Sequence, residues 1–525
     1  MNRSDSLDKL NKVSQWDIII IGGGASGLGI AVDASKRGYK TLLLEKYDFG
    51  KGTSSRSTKL IHGGVRYLQN GDITLVIESL KERGILKRNA PHLVRDLSFV
   101  IPSYDWWSSP FYGIGMKIYD MMAGNLGLGK SIMISKKETL ELIPNVNKKG
   151  LRGGVIYHDG QFDDSRMAIT LALTANSKKT ALLNHCSVEK LIKDKDEVIG
   201  LEFQDTINSK KYKVKGKVVI NATGAWADRI RNIVNSEERI RPLRGSHIIF
   251  PKSLYPMQDV MTFLHADDKR GVFVYPWEGT TVVGTTDLDH SEDLDVEASI
   301  SEVEVDYLLK AFNTEFPKHA IKRSDILSTW AGVRPVIGTE KSKDPSKERR
   351  DHAVWSDHGL ITVTGGKLTT FRLIAIDALT AAKDNLPPAQ DFSSDKVFVT
   401  PEVSSESLFP ENPSWGQRLL GRYGERAIEL VNGSFPEERV NLGDTEFTLA
   451  ECRWALEFEA VEHLDDLLLR RTRLGMCLPN GGAELYPVLQ EMCSNLLGWD
   501  EGRWNSELNR YEAIWKKHYS LPTIH

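Results

Sequence analysis

Three cations and two histidines in this chain sit beside glycine-rich or short polar turns, where they could hold an anion and move a proton next to it. Arg66 follows His62-Gly63-Gly64-Val65, Arg334 lies in Trp330-Ala331-Gly332-Val333-Arg334-Pro335, and Lys367 directly follows Gly365-Gly366. Arginine's planar fork matches the oxygens of a dianion such as phosphate. A lysine at a helix start adds its charge to the positive end of the dipole. Arg350, in Arg349-Arg350-Asp351, is a fourth, more loosely placed cation. His62 stands in the glycine-rich loop and His247 in Arg244-Gly245-Ser246-His247, at the mouth of a strand. Either imidazole titrates close enough to neutrality to serve as a base, and the residues alone do not choose between them. An isolated arginine is more often half of a surface ion pair, and most of the 13 histidines must be structural or exposed. Thr285, followed by Thr286 in Gly284-Thr285-Thr286-Asp287, reads equally as a polar contact to a ligand or as a strand-end turn.

The elements that must position these groups are legible. Asp17-Ile18-Ile19-Ile20-Ile21 is a strand-like run that flows into Gly22-Gly23-Gly24-Ala25-Ser26-Gly27. A helix-like stretch over 28–37 follows, then the apolar Thr41-Leu42-Leu43-Leu44, ending on Glu45. Strand, glycine turn, helix, strand and acid form the full context of a dinucleotide fingerprint. Gly22 permits the turn, Gly24 lets the backbone approach a pyrophosphate, and Gly27 lets the helix pack close to the sheet. Free N–H groups at the helix start favour phosphate, and Glu45 can accept hydrogen bonds from a ribose. The fingerprint does not distinguish NAD from FAD. The loop from Lys46 to Ile61, with Thr53-Ser54-Ser55 and Lys59-Leu60, is rich in short hydroxyls suited to phosphate, ribitol or flavin edges. A second strand–turn junction runs Val218-Val219-Ile220 into Asn221-Ala222-Thr223-Gly224, with Asp228 just beyond. A third runs 360–364 into Gly365-Gly366-Lys367-Leu368-Thr369. Three such junctions can converge on one extended cofactor at the carboxyl ends of a parallel sheet.

The segments IIIIGGGASGLGIA, TSSRSTKLIHGGVRYL, NATGAWAD, RGSHIIFP, VGTTD, TWAGVRPVIG, TGGKLTTFR and LLLRRTRLGM occur in this order. Together they resemble the FAD-dependent glycerol-3-phosphate dehydrogenases, within the superfamily of amine- and alcohol-oxidising flavoenzymes. The resemblance runs from Trp16 to Met476, and LIHGGVRYL, TWAGVRPVIG and LLLRRTRLGM are its most specific parts. It implies an α/β fold: a discontinuous Rossmann-like FAD domain, a substrate domain on a mixed or antiparallel sheet, and a C-terminal helical domain. It implies oxidation of sn-glycerol 3-phosphate to dihydroxyacetone phosphate by hydride transfer to FAD N5. Electrons would then pass to ubiquinone or menaquinone at the cytoplasmic face of a membrane, and a homodimer is compatible with the resemblance. Arg66, Tyr67, Arg334 and Lys367 fall on positions that line the family's substrate pocket, and Val188 joins the expected cofactor contacts. The alternative is a related FAD-dependent oxidase or dehydrogenase acting on an amino acid, an amine or another small alcohol, with oxygen as acceptor. Oxidases of the family carry an extra insertion that a chain of this length is expected to lack. The calcium-loop pattern of mitochondrial relatives does not occur in the sequence.

At 525 residues two or three domains are expected, and 40% hydrophobic with 26% charged residues is a globular balance. A formal charge of −3 gives no electrostatic case for a nucleic-acid partner. Cys186, Cys452, Cys477 and Cys493 lack metal-ligand spacing and are expected to be reduced thiols in the cytoplasm. The polar first fifteen residues do not read as a signal peptide, and no window is apolar enough to span a bilayer. The junctions predict an FAD domain over 15–75, 150–235 and 325–385, and a substrate domain over 76–149 and 236–324. A Pro/Ser-rich linker over 386–415 and a helical domain over 416–525 complete the chain. Trp107, Phe111, Ile114, Ile118 and Met121 form one stripe at helical spacing. Such stripes are usually core. The resemblance instead favours peripheral contact with an inner-membrane leaflet.

Overall fold

The computed structural model describes residues 1–63, 73–106, 108–234, 236–338, 351–394, 397–398 and 402–522. Arg66, Tyr67, Trp107 and Arg350 lie outside the described residues.

The fingerprint strand, Trp16–Ile21, is central in an eight-stranded sheet. Its isoleucines are buried on both faces, as β-branched residues are in a parallel sheet covered by helices. Lys211–Asn221 and Thr41–Leu44 flank it in parallel, Thr180–Leu183 extends one side, and Leu360–Gly365 extends the other. His352–Asp357 closes that edge antiparallel. Cys186–Asp194 and Glu197–Asp205 form a hairpin on the first half of Lys211–Asn221. The helices Ala25–Lys36 and Phe371–Ala382 share one apolar core with this sheet, through Leu28, Ile30, Ala31, Ala375 and Ala378. The carboxyl ends of Trp16–Ile21, Lys211–Asn221 and Leu360–Gly365 therefore lie side by side, and each opens into one of the three glycine turns.

A second, ten-stranded sheet is mostly antiparallel, with one parallel pair between Val260–Leu264 and Arg95–Ser103. Ile240–Pro251 pairs along ten residues with Ser328–Ile337, setting Leu243 opposite Arg334 and His247 opposite Trp330. Three strands assigned by sequence to FAD-domain segments hydrogen-bond in this second sheet: Leu60–Ile61, Gly153–Gln161 and Ser328–Ile337. Their segments cross from one sheet to the other, and local pattern does not reveal which sheet a buried strand joins.

The C-terminal region is helical, with Pro413–Tyr423, Arg426–Gly433, Leu449–Phe458, Tyr486–Leu497 and Glu501–His518. Helices begin inside the expected linker, at Ser405–Leu408 and Pro413. Much of this region shares a core with the second sheet: Leu468, Met476 and Tyr511 belong to the same buried cluster as Tyr275, Trp277 and Trp330.

Candidate active site

A cleft of about 1010 Å³ runs along the carboxyl edge of the first sheet and on to the face of the second. Gly22, Gly24, Ala25 and Ser26 line it at one turn, Ala222, Thr223 and Gly224 at the next, and Gly365, Gly366, Lys367, Leu368 and Thr369 at the third. Glu45, Lys46, Thr53, Ser54, Leu60, His62 and Val188 also line it, as do Thr285 and Arg334.

The nucleotide end is built by local chemistry. Gly22 has φ +108°, and a Cβ there would sit 2.6 Å from the Ala222 carbonyl oxygen, so this turn requires glycine. Gly24, the residue before the fingerprint helix, supplies no side-chain cap. The Ala25 N–H donates to Ser54 Oγ at 2.9 Å, which ties the hydroxyl-rich loop to the helix start. Glu45 accepts the Gly23 N–H at 2.6 Å and the Tyr47 N–H at 2.8 Å. Burial pushes its carboxyl up while those donors oppose the shift. Extended shape, glycine turns and a helix start with glycine at its N-cap fit a dinucleotide diphosphate.

At the other end Arg334 lies on the strand Ser328–Ile337. Its Nη1 donates to Asp287 Oδ1 at 3.1 Å and its Nη2 to Thr285 Oγ1 at 3.3 Å. Lys367 Nζ donates to Ser79 Oγ at 2.7 Å. His62 is half-buried on the cleft wall with its ring stacked near Phe273, centroids 6.2 Å apart. The structure thus gathers His62, Thr285, Arg334 and Lys367 on one cavity, from four segments distant in sequence.

Six candidates among the described residues do not line the cleft. His247 is fully buried, stacked on Trp330 at 4.3 Å with its Nε2 3.1 Å from Thr58 Oγ1. Burial, with Lys59 and Arg334 nearby, holds its imidazole well below the ordinary value. Lys59 adopts φ +59°, which turns its ammonium beneath the cleft, between Trp277 at 4.9 Å and Trp330 at 4.2 Å. Burial lowers its pKa to about 8 against the pull of Asp164, 3.4 Å away. Asp228 is occupied in the backbone, accepting the N–H groups of Arg239 and Ile240 at 2.8 Å each and Arg231 Nη1 at 3.0 Å. Ile61 is buried in its pairing with Gly160, Ser55 is buried in the loop, and Gly27 faces the Gly22 carbonyl. All three shape the cleft without facing it.

Residues that the sequence did not single out include Asp287, which orients Arg334, and Thr58, which meets His247. Asp287 was within reach, because it closes the VGTTD segment. Thr58 and Asp164 had no local signal. Asp48, His185 and Asp466 approach closely enough to hold a cation. The guanidinium groups of Arg470 and Arg471 already bring positive charge to Asp48, and Arg470 also reaches Asp466.

Comparison with known proteins agrees with this geometry. Residues 17–372 match the family model described as FAD dependent oxidoreductase, and residues 403–504 the C-terminal domain of alpha-glycerophosphate oxidase. The chain is 34% identical to the mitochondrial glycerol-3-phosphate dehydrogenase of Bos taurus, over 97% of its own length and 74% of the relative's. It is also 34% identical to a mitochondrial glycerol-3-phosphate dehydrogenase of Arabidopsis thaliana, over 94% and 85% respectively. Among solved structures, it superimposes with a TM-score of 0.76 on the glycerol-3-phosphate dehydrogenase of Bacillus halodurans complexed with FAD. That pair is 27% identical, covering 98% of this chain and 97% of the other. The chain belongs to the FAD-dependent glycerol-3-phosphate dehydrogenases.

Proposed function

We propose that the alcohol of sn-glycerol 3-phosphate is oxidised in the cleft that His62, Arg334 and Lys367 line, and that the electrons leave to a quinone at a membrane surface. The carrying observation is Arg334, braced by Asp287 and Thr285 and lining the same cleft as His62 and Lys367. Bound FAD supplies the acceptor for the hydride leaving C2 of the substrate. Arg334 faces the reacting oxygen, stabilising the alkoxide as it forms, and Lys367 offers a charge to the phosphate. His62 takes the hydroxyl proton, and the carbonyl of dihydroxyacetone phosphate results. His247 supports the cleft from behind, because its buried imidazole stays neutral and faces Thr58. A dye-reduction assay with glycerol 3-phosphate, glycerol, glycine and sarcosine side by side tests the substrate. Turnover of glycine or sarcosine in preference to glycerol 3-phosphate would reject it.

The choice of base has its own test. His62→Gln should lower kcat about a hundredfold, the lower end for general-base loss, since Arg334 still stabilises the alkoxide. It should also remove an ionisation from the pH profile of kcat/KM, whereas His247→Gln should leave that ionisation in place. The reverse pattern would exchange the two roles.

The membrane reading rests on the helix Ser108–Ala123. Phe111, Ile114, Ile118 and Met121 are exposed along one side, while Met116, Tyr119 and Ala123 are buried on the other. Exposed Trp106 precedes this helix, and Ile132 and Met133 are exposed on the strand Ile132–Ser135 that packs beside it. An apolar ridge of this kind suits a lipid surface. No helix among the described residues is long and apolar enough to cross a membrane, and the contact proposed is a peripheral one. The cleft reaches Tyr112 on this same helix, along Ile101, Pro102 and Phe273, which offers an apolar way in for an acceptor dissolved in lipid. Phe111→Glu combined with Met121→Glu should weaken binding to anionic liposomes at least about tenfold, equivalent to one buried apolar side chain. Dye-linked activity should survive. Loss of flavin and of dye activity in that variant would instead make the ridge a structural face.

A further inference from the structure

The segment LLLRRTRLGM is among the most specific in the chain, yet none of its residues lines the cleft. Its arginines are buried: Arg470 and Arg471 end the π-helical turn Leu467–Arg471, and Arg473 follows in a left-handed conformation at φ +63°. Arg471 grips Asp48 with both Nη atoms, at 2.6 and 2.9 Å, and Arg470 shares the same carboxylate. Asp48 belongs to the loop after Glu45, and two residues later that loop returns to the fingerprint, where the Gly50 N–H donates to the Gly23 carbonyl at 2.9 Å. Arg473 reaches Asp163 at 3.2 Å and also pairs with Asp164. The other oxygen of Asp164 accepts the N–H and hydroxyl of Ser57, both at 2.8 Å, in the hydroxyl-rich loop beside Thr58. One short C-terminal segment therefore braces the loop after Glu45 at two points, directly at Asp48 across more than four hundred residues of chain and through Asp164 at Ser57.

We propose that Arg470, Arg471 and Arg473 form a clamp through which the C-terminal helical region positions the FAD cradle, so that cofactor affinity depends on a segment outside the cleft. The inference rests on FAD as the cofactor of the family. Desolvated and multiply hydrogen-bonded guanidinium groups hold their partners in one geometry, because any displacement leaves a charge buried without a partner. Asp48 and Asp164 are both fully buried, and among the described residues Asp48 makes its ion pairs with Arg470 and Arg471 and Asp164 with Arg473 and Lys59, while Arg56 separately ties the same loop to Glu297 and the Ala331 carbonyl. These arginines are positioning residues and act through Asp48, Asp163 and Asp164.

The test is FAD affinity itself, read as flavin fluorescence quenching when apoprotein prepared from the full chain is reconstituted. Arg471→Lys and Arg473→Lys keep the charge and lose the fork, and each should weaken FAD binding at least tenfold. Arg453→Lys is the control. Arg453 pairs with Glu438 at 2.8 and 3.0 Å wholly inside the C-terminal region, so its loss should lower the melting temperature and leave FAD affinity unchanged. Unchanged affinity in both clamp variants, or an equal loss in the control, overturns the proposal. If the clamp variants fail to fold, hydrogen exchange on the wild-type holoenzyme in sub-denaturing urea decides. Residues 464–476 should open together with 45–59 and with flavin release, and opening of 464–476 while flavin stays bound overturns it. Wild-type protein unable to bind FAD would instead strike the cofactor assignment.

Discussion

Replacing Gly27 with valine is expected to yield a protein that purifies without flavin and unfolds at a lower temperature even as apoprotein. A Cβ at Gly27 would run into the Gly22 carbonyl oxygen, a backbone atom of the first glycine turn. It would also stand 3.3 Å from Ile20 Cγ2, in the strand beneath. Neither neighbour can swing aside, so helix and strand must separate, at a cost of about 1–3 kcal/mol or more. Gly24→Val should lose the flavin for a different reason. Its backbone is extended at φ −80°, and a Cβ would meet only Ser54 Oγ, at 3.2 Å. The protein tolerates that contact and the pyrophosphate does not, so this apoprotein should melt close to wild type. Absorbance of the flavin and thermal unfolding of the two apoproteins separate the effects. A yellow Gly27→Val protein with wild-type stability would mean the turn is built differently.

Arg334→Ala should lower kcat/KM for glycerol 3-phosphate by about 2–5 kcal/mol, roughly thirtyfold to several thousandfold, with flavin content unchanged. The guanidinium is held by Asp287 and Thr285, neither of which belongs to a glycine turn, so on the proposed reading its loss should reach the reaction and not cofactor binding. Truncation also leaves Asp287, a nearly buried carboxylate, facing the site without this counter-charge, which adds repulsion towards an anionic substrate. Arg334→Lys should recover little, because an ammonium cannot meet Asp287, Thr285 and substrate from one position. Single-turnover reduction of the flavin, followed by its colour, measures the step directly. Wild-type rates in both variants would move the phosphate and alkoxide contacts elsewhere in the cleft.

Much of the nucleotide half was legible because its signals are local. Four consecutive isoleucines, a glycine turn with glycine at the helix start and an acid after the next strand are all contained in about thirty residues. The structure puts Glu45 on the Gly23 and Tyr47 N–H groups and brings the three glycine turns to neighbouring strand ends. The substrate half was legible in part. Arg334 and Lys367 stood out as cations beside glycine turns, and both line the cleft. His247 and Lys59 carried equally inviting local contexts, yet His247 stacks on Trp330 and the Lys59 ammonium sits over Trp277 and Trp330. Strand register and a positive φ decide that, and neither is written in residue type.

The helical stripe at Phe111, Ile114, Ile118 and Met121 shows the same division. Periodicity established that these residues share one side of a helix and could not say whether that side meets core or solvent. Tertiary packing turned Met116 and Tyr119 inward and left the stripe outside. What the sequence by itself determined is what short-range sterics and hydrogen bonding control: the fingerprint, the order of strands and helices, and the residue types available for chemistry. Tertiary structure alone decided which of those residues share a cavity, which sheet each buried strand joins, and that Arg471 closes on Asp48. Ion pairs and strand pairings at such separations leave no local trace. They form because burial penalises any unpaired charge or backbone group, and only the folded chain reveals which partners satisfy them.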